Sequence, residues 1–426
     1  MNKNLYFVFL LVFTIVVSCK KEIQTNPQST IDPKVKFTSD TFNDLYFWYE
    51  SMPAVDLTTF KTPEEYIGSV KYAKDRWSFT MTYTELQNLL LNGVTTGWGA
   101  QLRYIALNPL RVLSVYDNSA MGKAGVKRGW QVKAINGKLV APMAITEVNS
   151  TLSNASNSFT FIANDGTEST LTLSKGAIVI NSVLYSNIYP VSGKKIGYLV
   201  FNEFLGSSVR ELNNVFNNFS AAGITDLVVD LRYNGGGTLD CADSLVAIIA
   251  GKLNKDKIYN SLKYNKKHTN LNFTQLIKLK SNSVLLDKLV FITSSSTASA
   301  SELVIAGLIP YMKLKLIGSA THGKPVGMNI TSDTKLNIAV APISFENSNS
   351  QGYTDYFNGI PADFAVNDNA GQDWGTLTDA CLSASLNYIS TGAIGFVPSP
   401  KSTSITEQTV YPGSDTPVEN LYQFLK

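Results

Sequence analysis

Three runs in the second half of the chain hold residues that could do chemistry. The first is Asp230-Leu231-Arg232-Tyr233-Asn234-Gly235-Gly236-Gly237. An apolar stretch leads into three glycines, and a helical pattern follows. Glycines let backbone N–H groups approach a ligand closely, and a helix start favours negative charge. Such a turn can hold a phosphate or an oxyanion. No Lys-Ser/Thr follows it, so a P-loop is not supported. Gly97-Trp98-Gly99 also fails the dinucleotide pattern, because position 102 is Leu. The bland alternative is a tight left-handed turn. The second run is Thr297-Ala298-Ser299-Ala300-Ser301-Glu302, between a buried strand pattern and a helical one. A serine at such a turn stands near a helix N-terminus, where backbone donors can stabilise a developing alkoxide. Ser299 and Glu302 also satisfy the spacing of a capping box, and cap and nucleophile can share one turn. The third run is Gly318-Ser319-Ala320-Thr321-His322-Gly323-Lys324. Most lysines are solvated, but this one follows a buried strand and a Gly. A serine needs a base, and lysine serves when burial lowers its pKa from about 10.4 towards neutrality.

In this order and spacing the three runs resemble the C-terminal processing peptidases, the tail-specific serine proteases of family S41. The family pattern is D-L-R-x-N-x-G-G, then T/S-A-S-A-S-E, then an apolar helix, then G-x-x-T-x-G-K. Here these stand as DLRYNGGG, TASASE and GSATHGK. The family also places a PDZ-like domain before the protease core. GWGAQL and NSAMGKAGVKRGWQVKAINGK resemble its peptide-binding loop and following run, and DRWSF (75–79) resembles the element before it. The likeness covers roughly residues 40–390. It implies Ser299 as nucleophile and Lys324, 25 residues later, as general base. It implies oxyanion donors from the backbone of Ala300 and of the Gly235–Gly236 turn. It implies a peptide-binding loop of Gly97, Trp98, Gly99, Ala100, Gln101 and Leu102, with no cofactor and no metal. Met328 stands where many members have a Gln that orients the lysine, so the orienting partner of Lys324 is unassigned. Pro310 replaces an Asp of some members, and Trp130-Gln131 follow Gly129 where an acidic residue is usual.

These side chains need a scaffold, and the 426 residues allow two to four domains. The predicted fold is α/β and multidomain. After a signal peptide (1–18) and a polar tether (19–37) comes an N-terminal helical domain (38–92). Thr62-Pro63 and Thr82-x-x-Glu85 start its helices. Short strands with turns at Asn136-Gly137 and Asp165-Gly166 follow, making a PDZ-like β-rich domain (93–175). Strand and helix patterns then alternate through an α/β protease core (176–390), ClpP/crotonase-like by the resemblance. Ser208-x-x-Glu211 reads as a capping box. Ala242–Ala250 reads as a helix ending at Gly251, and 391–426 reads as a loosely packed Ser/Thr/Pro-rich tail.

Composition narrows the function. Net charge is +3 with no dense Lys/Arg block, so nucleic acid is a poor partner. Two histidines far apart, without H-E-x-x-H, nearly exclude a histidine-built zinc hydrolase. Three cysteines exclude a disulfide-dense scaffold. Lys3 and the apolar stretch of 13 residues from Leu5 to Val17 form a secretory core too short to span a bilayer. Val16-Val17-Ser18-Cys19 looks like a lipobox, with Cys19 as the lipidated N-terminus. Cys241 and Cys381 would then be the remaining thiols, either bridged or buried free. The expectation is a serine endopeptidase of the bacterial cell envelope, anchored by lipid, acting on polypeptides with free C-termini. The alternative is a catalytically impaired peptide-binding lipoprotein, motivated by Met328. A Ser–His hydrolase using His322 lacks an apparent acidic partner.

Overall fold

A computed structural model describes residues 30–92, 94–104, 109–141, 143–368, 370–395 and 408–412. Cys19 and the signal segment lie outside them. At the centre is a six-stranded sheet. Its order is Val183–Val191, Lys194–Phe201, Asp226–Asp230, Lys288–Thr293, Leu314–Gly318 and Phe364–Ala365. The first pair is antiparallel and the other neighbours are parallel. The four inner strands are largely buried on both faces because helices cover both. Leu227 and Val229 pack towards helices Ser208–Ala222, Leu239–Asn254 and Ala300–Leu308, while Val228 packs towards Ala380–Thr391. The Thr297–Glu302, glycine and lysine runs all follow C-terminal ends of these parallel strands. That edge is where open α/β sheets place ligands.

Two local readings change here. Ser208 does not cap its helix. Its hydroxyl accepts the Leu205 N–H at 2.8 Å and donates to Glu203 O, while Glu211 accepts the Val183 N–H at 2.9 Å. The helix read as ending at Gly251 continues to Asn254. Gly251 is there for close approach, since a Cβ would lie 2.4 Å from Lys278 O. Cys241 and Cys381 are both buried free thiols.

The β-rich unit is an antiparallel sheet ordered Gln408–Pro412, Ala100–Tyr104, Leu110–Val115, Gln131–Ile135, Ser156–Ile162 and Glu168–Ser174. Asn136 and Gly137 have φ of 51° and 76°, the left-handed pair that a tight hairpin demands. Helix Ile145–Leu152 lays Val148 and Leu152 on the sheet, in one core with Trp98, Leu102, Phe159 and Phe161. The tail reading fails over 408–412, which form an edge strand of this sheet rather than loose chain.

The N-terminal unit begins earlier than its sequence pattern suggested. Asp32 caps helix Pro33–Leu45, accepting the Lys34 and Val35 N–H groups, so residues 33–37 are helical rather than tether. Thr62 and Thr82 cap helices Pro63–Val70 and Tyr83–Asn92 as read. Strand Phe79–Met81 pairs with Ile338–Ala341 of the core, so the unit is stitched into the core by backbone.

Candidate active site

Ser299 sits between strand Lys288–Thr293 and helix Ala300–Leu308, with φ 56° and ψ −114°. A non-glycine residue there costs on the order of 1–3 kcal/mol and must be held by its surroundings. The neighbours supply the hold. Thr297 donates its hydroxyl to Leu231 O at 2.6 Å, and the Ala298 N–H bonds Asn234 O at 3.0 Å. Ser301 Oγ donates to Asn234 O at 3.1 Å. The Ser299 turn is thus clamped onto the Leu231–Gly236 turn. Gly236 completes the fit: a Cβ there would lie 2.8 Å from the Ser299 Cβ and 2.9 Å from the Ala300 nitrogen.

Glu302 joins this turn to the lysine segment. It is fully buried, and its carboxylate accepts four donors. These are the Ser299 N–H at 2.9 Å, Thr321 Oγ1 at 2.5 Å, the Gly323 N–H at 2.6 Å and the Lys324 N–H at 2.8 Å. One carboxylate therefore fixes the backbone of both Ser299 and Lys324. Burial raises its pKa, against the four hydrogen bonds that favour the charged form. The sequence showed Glu302 only as a cap; its second half of partners arrives from Thr321–Lys324. The Lys324 side chain is 1% exposed. Burial lowers its pKa to about 7, against the opposing pull of Asp75 and Glu302.

Asp75 belongs to the DRWSF run and is itself buried. It accepts from Tyr46 Oη at 2.8 Å and from the Trp77 and Ser78 N–H groups at 2.9 Å. Arg76 donates to Gly323 O at 3.2 Å and Phe357 O at 3.0 Å, so this run lies directly on the lysine segment. Trp77 Nε1–H donates to His322 Nε2 at 3.1 Å. The proton therefore sits on Nδ1, which faces Ser295 O at 3.3 Å. Both ring nitrogens are engaged, and burial with nearby Arg76 and Lys324 lowers the His322 pKa to about 4. Met328 is fully buried in an apolar cluster with Val35, Phe42 and Trp77. It has become packing between the N-terminal unit and the core.

The oxyanion candidates are brought together unequally. Ala300 opens its helix, where the first N–H groups have no partner within the helix. Gly235 lies in the turn packed on Ser299. Gly236 departs from expectation: its N–H bonds Asn234 Oδ1 at 2.9 Å, so its contribution here is close approach rather than a donor. Behind the turn is a buried ionic cluster. Arg232 bonds Asp230 at 2.7 Å and Asp368 and Asp379 at 2.9 Å. Arg128, from the β-rich unit, bonds Asp368 at 2.7 Å and Tyr233 Oη at 2.8 Å, with its guanidinium 4.1 Å from the Trp374 ring centroid. Burial alone would raise Asp368, but the two guanidiniums hold it well below the usual carboxylate range. Sequence reading missed Arg128, Asp368 and Asp379, which no motif marks.

The profile of peptidase family S41 matches residues 195–366, and that of the S41 N-terminal domain matches 36–79. The chain belongs to peptidase family S41. A "Probable CtpA-like serine protease" of Staphylococcus epidermidis is 25% identical over 333 residues, covering 76% of this chain and 63% of that one. A protein of the same description from Staphylococcus aureus is 28% identical over 275 residues, covering 61% and 51%. The chain thus spans less than two thirds of the length of these relatives. A crystal structure from Bacteroides fragilis, described as an S41 protease, superposes with a TM-score of 0.70 at 23% identity. It covers 83% of this chain and 97% of that one, and establishes a shared fold.

The loop expected to bind peptide in this S41 chain divides by role. Trp98, Ala100 and Leu102 are fully buried, and Trp98 Nε1–H donates to Leu152 O at 2.9 Å. Gly99 has φ 81°, and a Cβ there would lie 1.9 Å from the Ser119 Cβ. Gly97 pairs with Gly176, and Gln101 pairs with Ser114 on one side and Pro412 on the other. Strand Ala100–Tyr104 is paired on both sides, by Leu110–Val115 and by Gln408–Pro412. From that strand Arg103 Nη2 donates to Ser296 Oγ at 2.8 Å, three residues before Ser299.

Proposed function

We propose that this chain is a serine endopeptidase of the bacterial cell envelope, using Ser299 as nucleophile and Lys324 as general base. The observation that carries the reading is the buried amine. Lys324 has a pKa lowered to about 7, and its backbone is bonded to the same carboxylate as that of Ser299. A neutral Lys324 takes the Ser299 proton as Oγ attacks the scissile carbonyl. Backbone N–H groups of Ala300 and of the Gly235 turn stabilise the oxyanion. The lysine then passes its proton to the leaving amine, and water hydrolyses the acyl-enzyme. His322 is a poor base here, with both nitrogens engaged and its pKa near 4. Glu302 fixes the Lys324 backbone, while Met328 packs between the N-terminal unit and the core.

The β-rich unit is the PDZ-like module in this reading. It binds polypeptides by strand addition to Ala100–Tyr104, with the Gly97–Gly99 loop receiving a C-terminal carboxylate. Cys19 carries the lipid, and Cys19→Ala should move the protein from the membrane fraction to the soluble one. Unchanged retention with normal maturation contradicts that part. The activity is tested by a fluorophosphonate probe on purified protein. Labelling of the parent and none of Ser299→Ala is expected; equal labelling of both contradicts Ser299 as nucleophile.

A further inference from the structure

The peptide-binding edge is occupied by the chain itself. Gln408–Pro412 runs antiparallel to Ala100–Tyr104, pairing Gln408 with Tyr104, Thr409 with Arg103, Tyr411 with Leu102 and Pro412 with Gln101. It therefore runs towards Gly99, the direction a substrate tail takes when its end is to reach the Gly97–Gly99 loop. Val410 is 6% exposed and belongs to the core of Trp98, Leu102, Tyr104, Val148 and Leu152. The segment contacts helix Ile145–Leu152 as well as the strand. Strand and helix form the two walls, and Val410 fills the space between them. The ladder ends at Pro412, which has no N–H to donate, and the sequence continues beyond it. An internal stretch of chain, rather than a terminal carboxylate, thus lies on the edge.

We propose that Gln408–Pro412 is an internal ligand of this groove, which incoming peptides must displace. The inference rests on the reading of that edge as the peptide-binding site. A strand edge exposes one row of backbone N–H and C=O groups and pairs with one strand at a time. Occupation by the tail and by a substrate is therefore mutually exclusive. Sixteen residues, 392–407, join the segment to the end of helix Ala380–Thr391. A tether of that length gives a local concentration on the order of millimolar, so a weak intrinsic fit suffices to close the groove. An external peptide then binds with an affinity reduced by the fraction of open groove. The occupant also indicates the ligand class: an extended segment with a small aliphatic side chain at the Val410 position.

The test uses the full chain carrying Ser299→Ala, so that no peptide is consumed. The probe is a fluorescein-labelled synthetic copy of residues 403–414, followed by anisotropy. Val410→Asp in the protein places a carboxylate in the apolar slot and should expel the segment. The probe should then bind at least about tenfold more tightly than to the parent. A probe carrying the same Val→Asp change should bind neither. Equal affinities in parent and variant, or no binding to either, overturn the proposal. Should Val410→Asp fail to fold, the pair Gln408→Cys and Tyr104→Cys serves. Oxidation should abolish probe binding and reduction restore it; unchanged binding in the bridged protein overturns the proposal. A Ser299 protein that binds the probe but hydrolyses nothing would contradict the proposed activity and leave this inference standing.

Discussion

Glu302 sets the relation between Ser299 and Lys324, because a carboxylate is acceptor-only and here four donors converge on it. Glu302→Gln keeps the shape and removes acceptor capacity. An amide has one acceptor oxygen, so some backbone N–H groups lose their partner, at about 1–3 kcal/mol each. A fall in kcat of at least about 100-fold is expected. Glu302 also raises the pKa of Lys324, so losing its charge should lower that pKa further. The acid limb of the pH–rate profile should therefore move to lower pH while the maximum drops. A purely structural role would lower the rate without moving the limb; a steady-state pH series on both proteins separates the two. At this scale the sequence showed Ser299, Lys324 and Glu302 by type and spacing. It did not show that Glu302 reaches the lysine segment, since that contact needs two loops 19 residues apart to meet. Asp75 lay within a recognised run, but its field at Lys324 depends on the N-terminal unit being docked.

At the scale of elements, what was legible followed from local rules. The parallel strands read as short apolar runs, the Thr62 and Thr82 helix starts formed as caps, and the Asn136-Gly137 turn formed a hairpin. What failed needed a partner from elsewhere. Ser208 gave up capping because Leu205 and Glu203 offered its hydroxyl better-placed bonds. Rather than ending its helix, Gly251 lies inside it, where the backbone at Lys278 passes too close for any side chain. Gln408–Pro412 looked like tail, since a five-residue edge strand has no periodicity of its own to announce it. Its pairing is supplied by Ala100–Tyr104, some 300 residues earlier in the chain.

At the scale of the whole molecule, three units meet behind one serine and one lysine. The N-terminal unit brings Asp75, Arg76 and Trp77 onto the lysine segment. The β-rich unit brings Arg128 into the ion cluster under the Arg232 turn, and Arg103 onto the loop before Ser299. Buried ion pairs contribute little net stability, but removing one partner is costly, so such a cluster fixes the relative placement of the units. Burying Lys324 among them lowers its pKa, which is what the proposed role as base requires. Its pKa of about 7 means that activity should rise with pH, about tenfold per unit below 7, and level off above, because deprotonation creates the base. The most direct measurement is kcat/KM against pH on one peptide for the parent, Lys324→Arg and His322→Ala. The parent should show that single rise near 7 and His322→Ala should keep most of it, while Lys324→Arg should be nearly inactive throughout, since arginine stays protonated. An active Lys324→Arg beside an inactive His322→Ala would contradict the lysine base and give that role to the histidine.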